Sequence, residues 1–133
     1  MPGPAPSPLR GRVLVVDDDR SARLLLDKVL TKAGHFVSGV ESAELALTHL
    51  VDGDFDLLVT DKNLPGMDGL EALRRARELF PRLRVVLMTG FPTPETRATA
   101  EAYGVYAYVT KPFGVHDILG ICEGAIRASR EQP

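Results

Sequence analysis

Three aspartates follow apolar segments of this chain in a pattern that points to metal-assisted chemistry. Asp17 and Asp18 come directly after the apolar residues 13–16, and Asp61 follows the apolar residues 57–59 with only Thr60 between them. Short apolar segments bounded by polar residues predict buried parallel strands, whose carboxyl ends share one edge of the sheet. Carboxylate oxygens are ligands that Mg²⁺ prefers, often together with phosphate oxygens. We therefore expect a Mg²⁺ site in which Asp61 acts as a nucleophile toward phosphorus.

Two further polar residues are expected at the same edge. Thr89 follows the predicted strand 84–88, and Lys111 follows the predicted strand 107–109. A lysine supplies positive charge for phosphoryl oxygens, and a threonine supplies a hydroxyl donor. Each site residue alone has a plain structural explanation, since aspartate commonly caps a helix or begins a turn and threonine suits a strand. Their joint placement at four strand ends favours the chemical interpretation.

The chain predicts five strand–helix units. Apolar runs and turn residues indicate strands at 12–16, 36–40, 57–60, 84–88 and 107–109. The first predicted helix ends at Gly34. The other four are predicted at Ser42–Leu50, 69–79, Pro94–Gly104 and 115–129. Such alternation predicts a doubly wound α/β domain with a parallel sheet. Two strand orders suit five units, and the order 2-1-3-4-5 places the topological switch point between strands one and three, where the acidic residues lie.

Length and composition indicate one ordinary globular domain. The chain has 133 residues and a net charge of −2, so no basic surface predicts binding to nucleic acid or to an anionic membrane. We expect residues 1–11, with proline at every second position from 2 to 8, to form a disordered tail. Residues 12–130 are expected to form the domain and residues 131–133 its C-terminal end. The lone Cys122, with no secretory signal and no membrane-spanning apolar run, favours a cytoplasmic location.

Four motifs of the chain resemble the receiver domain of two-component response regulators. They are Val15-Val16-Asp17-Asp18-Asp19, Asp61-x-x-Leu64-Pro65-Gly66-Met67-Asp68-Gly69, Leu87-Met88-Thr89-Gly90 and Lys111-Pro112-Phe113. The motifs have the order and spacing of that family and cover about residues 12–129. The resemblance implies a CheY-like fold, a single doubly wound (βα)5 flavodoxin-like domain with a parallel sheet of order 2-1-3-4-5.

The resemblance also implies the acceptor and the metal ligands. Asp61 matches the residue that takes a phosphoryl group from a phosphohistidine of a sensor histidine kinase or phosphotransfer protein, in a Mg²⁺-dependent reaction. Asp18 matches a direct Mg²⁺ ligand, and Asp17 matches a ligand that acts largely through water. Asn63 matches the residue whose backbone carbonyl completes the protein ligands, beside Asp61 itself.

The remaining family roles concern the switch and its output. Thr89 matches the hydroxyl that binds the phosphoryl group, Lys111 the phosphate-contacting lysine, and Tyr108 a rotating aromatic residue. The Lys111–Pro112 bond is expected to be cis. Phosphorylation is expected to alter the surface of helix four, strand five and helix five, which would control a downstream partner or an output domain. A homodimer through this surface is a further expectation, although Tyr106-Ala107-Tyr108 replaces the paired charges of winged-helix regulators.

Two other functions stay open on the sequence. A Mg²⁺-dependent aspartyl-phosphate phosphatase would need a second acid, which Asp61-Lys62-Asn63 lacks, and a cap domain for which the chain has no room. A pseudo-receiver would bind partners without being phosphorylated, yet all five site residues are present here. The sequence therefore favours a phosphorylation-controlled regulatory domain over an enzyme.

Overall fold

A computed structural model describes residues 9–131 as an α/β domain with a five-stranded sheet of order β2-β1-β3-β4-β5. Every pair of neighbouring strands is parallel. In chain order the elements are β1 (Arg12–Val16), α1 (Arg20–Lys32), β2 (Phe36–Val40), α2 (Ala43–Asp52), β3 (Leu57–Asp61), α3 (Gly69–Leu79), β4 (Arg84–Thr89), α4 (Pro94–Ala102), β5 (Ala107–Thr110) and α5 (Val115–Glu131). The predicted fold class and strand order are confirmed.

The sheet is buried on both faces because successive strand residues point to opposite sides. One core forms where Leu14, Leu58 and Leu87 meet the apolar sides of α2, α3 and α4. The other forms where Val15 and Met88 meet the apolar sides of α1 and α5. With both faces covered, only the strand ends remain to carry polar chemistry.

Cys122 belongs to the second of these cores. It is fully buried, and burial raises the pKa of its thiol to about 12. A thiol that does not ionise at neutral pH is a poor nucleophile. Cys122 therefore acts as a packing residue, as its apolar neighbours in the sequence indicate.

Four of the five helices begin at a side chain that accepts a hydrogen bond from a free amide of the first turn. These N-caps are Asp19, Ser42, Asp68 and Thr93. Two helices end just before a glycine in the left-handed region, Gly34 (φ 101°) after α1 and Gly104 (φ 87°) after α4. The predicted stops at both glycines are thus confirmed.

The observed boundaries differ from the predicted ones by one or two residues. Strands β3, β4 and β5 each extend one residue further than predicted, so Asp61 and Thr89 are the last residues of their strands. Extra pairing explains this, because Asp61 pairs with Met88 and Thr89 pairs with Thr110. Helices α2 and α5 are each two residues longer than predicted.

The predicted tail extends too far into the chain. Residues 1–8 of it lie outside the described residues. Gly11, however, is buried, and its amide donates to His35 Nδ1 at 2.9 Å while its carbonyl accepts from the amide of Phe36 at 2.9 Å. Leu9 packs against the core formed with α1 and α5. Backbone pairing with the start of β2 therefore orders the chain before Arg12.

No helix within residues 9–131 is long and apolar enough to cross a membrane.

Gly69, at the start of α3, allows this helix to lie directly against the end of β3. A Cβ atom at this position would overlap the backbone carbonyl of Asp61 and come within 2.8 Å of Lys62 Cα. Both neighbours are backbone, so a larger residue must displace α3 or the strand that carries Asp61.

We expect Gly69→Ala to lower the free energy of unfolding by about 2 kcal/mol, the usual cost of overpacking. Gly120→Ala is the matched control, because a Cβ there meets nothing within 4 Å and Gly120 lies inside α5. That change should stabilise the fold by about 0.5–1 kcal/mol through helix propensity. Urea denaturation measures both, and equal effects of the two substitutions would contradict the close approach at Gly69.

Candidate functional site

The predicted site residues meet at the carboxyl edge of the sheet. Asp17 follows β1, Asp61 ends β3, Thr89 ends β4 and Lys111 follows β5. Backbone pairing continues just past the strands, since the Lys111 amide donates to the carbonyl of Thr89 at 2.8 Å. The main chain of each site residue is therefore held by the sheet itself.

The Lys111 ammonium lies between two buried carboxylates. Its Nζ donates to Asp17 Oδ2 at 2.9 Å and is 3.3 Å from Asp61 Oδ1. Asp17 is 1% exposed and Asp61 is 7% exposed, whereas Asp18 is exposed to solvent. The lysine thus compensates part of the negative charge that the sheet edge collects.

Burial and charge shift the pKa values of this pair. Burial raises the pKa of Asp61, and the carboxylates of Asp17 and Asp18 raise it further, while Lys111 opposes the shift. Burial alone would lower the pKa of Lys111, but its hydrogen bond to Asp17 and the nearby carboxylates outweigh burial, so the pKa is raised. Lys111 therefore stays protonated, and the ionised form of Asp61 is less stable than that of an exposed aspartate.

The donor set fits a hard divalent cation. One carboxylate oxygen from each of Asp17, Asp18 and Asp61 lies within 4.8 Å of the others. All three donors are carboxylate oxygens, which Mg²⁺ prefers over nitrogen and sulfur. Asn63 is exposed and lies two residues beyond Asp61 in the loop before α3, and the role of its carbonyl stays a prediction.

Asp17 makes more contacts than the sequence indicates. Its Oδ1 accepts from the amide of Asp19 at 2.9 Å, while Asp19 itself caps α1 by accepting from the amide of Ser21. The carbonyl of Asp17 accepts from Arg23 Nη1 at 2.7 Å. Helix capping therefore explains Asp19, whereas Asp17 faces the site. Sequence reasoning missed Arg23, because a cation six residues after Asp17 does not by itself indicate a contact with the site.

A side chain of α2 fixes the loop between β3 and α3. Glu44 Oε2, on α2, accepts from the amide of Met67 at 3.1 Å, and this hydrogen bond lowers the pKa of Glu44. Gly66, with φ of 76°, leaves room for the same carboxylate. Sequence reasoning also missed Glu44, because a glutamate in the first turn of a helix has an ordinary explanation.

The predicted switch residues lie on β4 and β5. The Thr89 side chain is buried, and its Oγ1 accepts from the amide of Phe91 at 3.0 Å, which leaves the hydroxyl proton available to donate. Tyr108 pairs with Leu87, two residues before Thr89 on β4, so Tyr108 and Thr89 lie on the same face of the sheet.

Tyr108 is held by two residues of α4 that the sequence did not single out. Its hydroxyl is 2.7 Å from Thr96 Oγ1, and the Arg97 guanidinium lies 4.9 Å from the ring centroid. A cation over an aromatic face is attracted to it. In this conformation the aromatic ring is therefore tied to α4. The Lys111–Pro112 peptide bond is cis, as predicted.

Comparisons with known proteins agree with this geometry. Residues 13–123 match the family model described as the response regulator receiver domain. The DNA-binding transcriptional regulator NtrC of Proteus hauseri is 36% identical over 92% of this chain, which spans 26% of that protein. The response regulator receiver protein CpdR of Brucella abortus is 34% identical over 89% of this chain and 98% of its own length.

Solved structures show the same fold. A CheY-like response regulator receiver domain protein from Methanospirillum hungatei superposes with a TM-score of 0.88 and 27% sequence identity. The match covers 92% of this chain and 98% of that one. Since the family model matches most of the sequence and the sheet has the same topology, this chain belongs to the response regulator receiver domain family of two-component systems.

Proposed function

We propose that Asp61 accepts a phosphoryl group from a phosphohistidine of a sensor histidine kinase or a phosphotransfer protein, in a Mg²⁺-dependent reaction. The observation that carries the proposal is the position of Asp61. Its carboxylate ends β3 at the rim of the sheet, 3.3 Å from Lys111 Nζ and within 4.8 Å of the oxygens of Asp17 and Asp18. No structural role of Asp61 requires three acids and a lysine at one point.

The transfer needs positioning and charge compensation rather than a strong base. An Asp61 oxygen forms a bond to phosphorus while the P–N bond of the donor breaks, and the donor imidazole nitrogen takes the electron pair. Bound Mg²⁺ would compensate the charge of the carboxylates and of the phosphoryl oxygens. Lys111 provides a fixed positive charge beside the same oxygens, and Thr89 provides a buried hydroxyl that can donate to them.

The output of the domain is a change of conformation. Thr89 and Tyr108 lie on one face of the sheet, so movement of the Thr89 hydroxyl toward a phosphoryl group would alter the room available to the Tyr108 ring. That ring is tied to Thr96 and Arg97 of α4. The surface of α4, β5 and α5 would then bind a downstream protein, an output domain or a second copy of the chain. The domain would act in the cytoplasm as a regulatory switch, not as an enzyme with its own turnover.

Treatment with acetyl phosphate and Mg²⁺ should add one phosphoryl group to the wild type and none to Asp61→Asn, as measured by intact mass. Asn keeps the shape of the side chain but lacks the charged oxygen that attacks phosphorus.

Asp54→Asn is the control, because Asp54 is exposed and lies in the loop between α2 and β3, outside the site. It should take up one phosphoryl group like the wild type. Equal labelling of Asp61→Asn and the wild type would show that the acceptor is another residue.

Mg²⁺ should raise the melting temperature of the wild type, since it binds the folded acidic cluster and not the unfolded chain. Asp18→Ala should lose most of this gain with little change in melting temperature in EDTA, because Asp18 is exposed and the structure gives its side chain no hydrogen bond within the described residues. Thermal melts with and without Mg²⁺ measure both values. A wild type that does not respond to Mg²⁺ would contradict the assignment of the metal site.

Without metal, stability should depend on the charge of Asp61. Its pKa is raised in the fold, so its stabilising contribution is present below the unfolded-state pKa of about 3.9 and is lost as the pH rises through the folded-state pKa. In EDTA at pH 7, Asp61→Asn should therefore melt at a higher temperature than the wild type, and the difference should narrow toward pH 4. Asp54→Asn should show no comparable difference, and an Asp61→Asn protein that melts lower at pH 7 would contradict the raised pKa.

A further inference from the structure

Arg23 is bound to the backbone of the acidic cluster. The Asp17 amide donates to the carbonyl of Val40 at 3.2 Å, which continues the parallel pairing of β1 with β2. The Asp17 carbonyl has no such strand partner, because β2 ends at Val40 and Ser42 already caps α2. The Asp17 carbonyl takes its donor from Arg23 Nη1 instead, at 2.7 Å. A hydrogen bond of this length from a charged donor is among the stronger ones in proteins. The side chain of Arg23, the fourth residue of α1, thus replaces the strand partner that β2 no longer supplies.

Gly39 of β2 provides the space that the Arg23 side chain occupies. A Cβ atom at Gly39 would lie 3.2 Å from both Cγ and Cδ of Arg23, closer than a side chain is usually accommodated. Gly39 has no positive φ that would require glycine. The glycine therefore leaves space across the edge strand for the aliphatic part of Arg23. The guanidinium is thus held by the backbone just after β1, and the stem of the side chain lies against β2.

We infer that Arg23 is a positioning residue for the metal site. By holding the Asp17 carbonyl it fixes the turn between β1 and α1, and this turn carries the carboxylates of both Asp17 and Asp18. The Asp17 side chain is constrained independently by Lys111 and by the amide of Asp19. The exposed Asp18 has no such contacts within the described residues, so its direction depends on the backbone that Arg23 holds. The inference rests on the proposed Mg²⁺-dependent function.

The direction in which Mg²⁺ affinity changes when Arg23 is replaced distinguishes a positioning role from a purely electrostatic one. Removing a positive charge beside a cation site should strengthen Mg²⁺ binding if only Coulomb interactions matter. Removing a residue that orients the ligands should weaken it, and partners of this kind typically contribute about 10-fold or more to metal affinity. Arg20 provides the matched control, because it is an exposed cation at the start of α1, and the structure gives its side chain no hydrogen bond or ion pair within the described residues.

The test is calorimetric titration of the whole chain with Mg²⁺ at constant ionic strength. Arg23→Met, which keeps the apolar stem and loses the donors, should raise the Kd about 10-fold. Arg20→Met removes the same charge and should leave the Kd unchanged or lower it. Arg23→Lys should give an intermediate Kd, since an ammonium can donate to the carbonyl but lacks the planar fork and reach of the guanidinium. At saturating Mg²⁺, all three variants should take up one phosphoryl group on Asp61.

The outcomes distinguish the inference from the function on which it rests. A wild type that binds no Mg²⁺ overturns both. If the wild type binds Mg²⁺ and the Kd of Arg23→Met is at or below that of the wild type, the role of Arg23 alone is overturned. If Arg23→Met does not fold, the same comparison is made with Arg23→Lys, and a Kd at or below that of the wild type overturns the inference. An equal rise of Kd in Arg20→Met also overturns it, because the effect would then not depend on the Asp17 carbonyl.

Discussion

The contact of the Lys111 ammonium with Asp17 and Asp61 is the interaction on which the site depends. Three carboxylates within 4.8 Å of one another repel, and two of them are buried. Lys111 Nζ lies 2.9 Å from Asp17 Oδ2 and 3.3 Å from Asp61 Oδ1 and compensates only part of that charge. Burial and the neighbouring carboxylates keep the pKa of Asp61 raised beside the lysine. The site is therefore suited to a second cation from solution.

This arrangement uses a property of parallel sheets. Residues far apart in sequence meet wherever neighbouring strands end, and both faces of the sheet are occupied by packed helices. Gly69 brings the start of α3 against the end of β3, and Gly39 leaves the edge strand open for Arg23. Small residues thus set the backbone positions from which the acidic side chains project.

The acidic edge and the α4–β5–α5 surface are connected through β4 and β5. Thr89 and Tyr108 lie on the same face of β4 and β5, and Tyr108 is bound to Thr96 and Arg97 on α4. The relatives use receiver domains in different settings, since this chain spans about a quarter of NtrC but nearly the whole of CpdR. The proposed binding of this surface to an attached domain or to a separate protein would suit both settings.

The sequence by itself determined the five units, the identity of the acids, threonine and lysine at the strand ends, the helix cap at Ser42 and the start of a helix at Pro94. These follow from local periodicity and from the chemistry of single residues, which need no knowledge of the fold. Only the tertiary structure decided that Lys111 bonds Asp17 across 94 residues, that Arg23 takes the Asp17 carbonyl, that Thr96 and Arg97 hold Tyr108, and that Gly11 pairs with β2. Such contacts depend on register and side-chain conformation, and neither is specified by spacing along the chain.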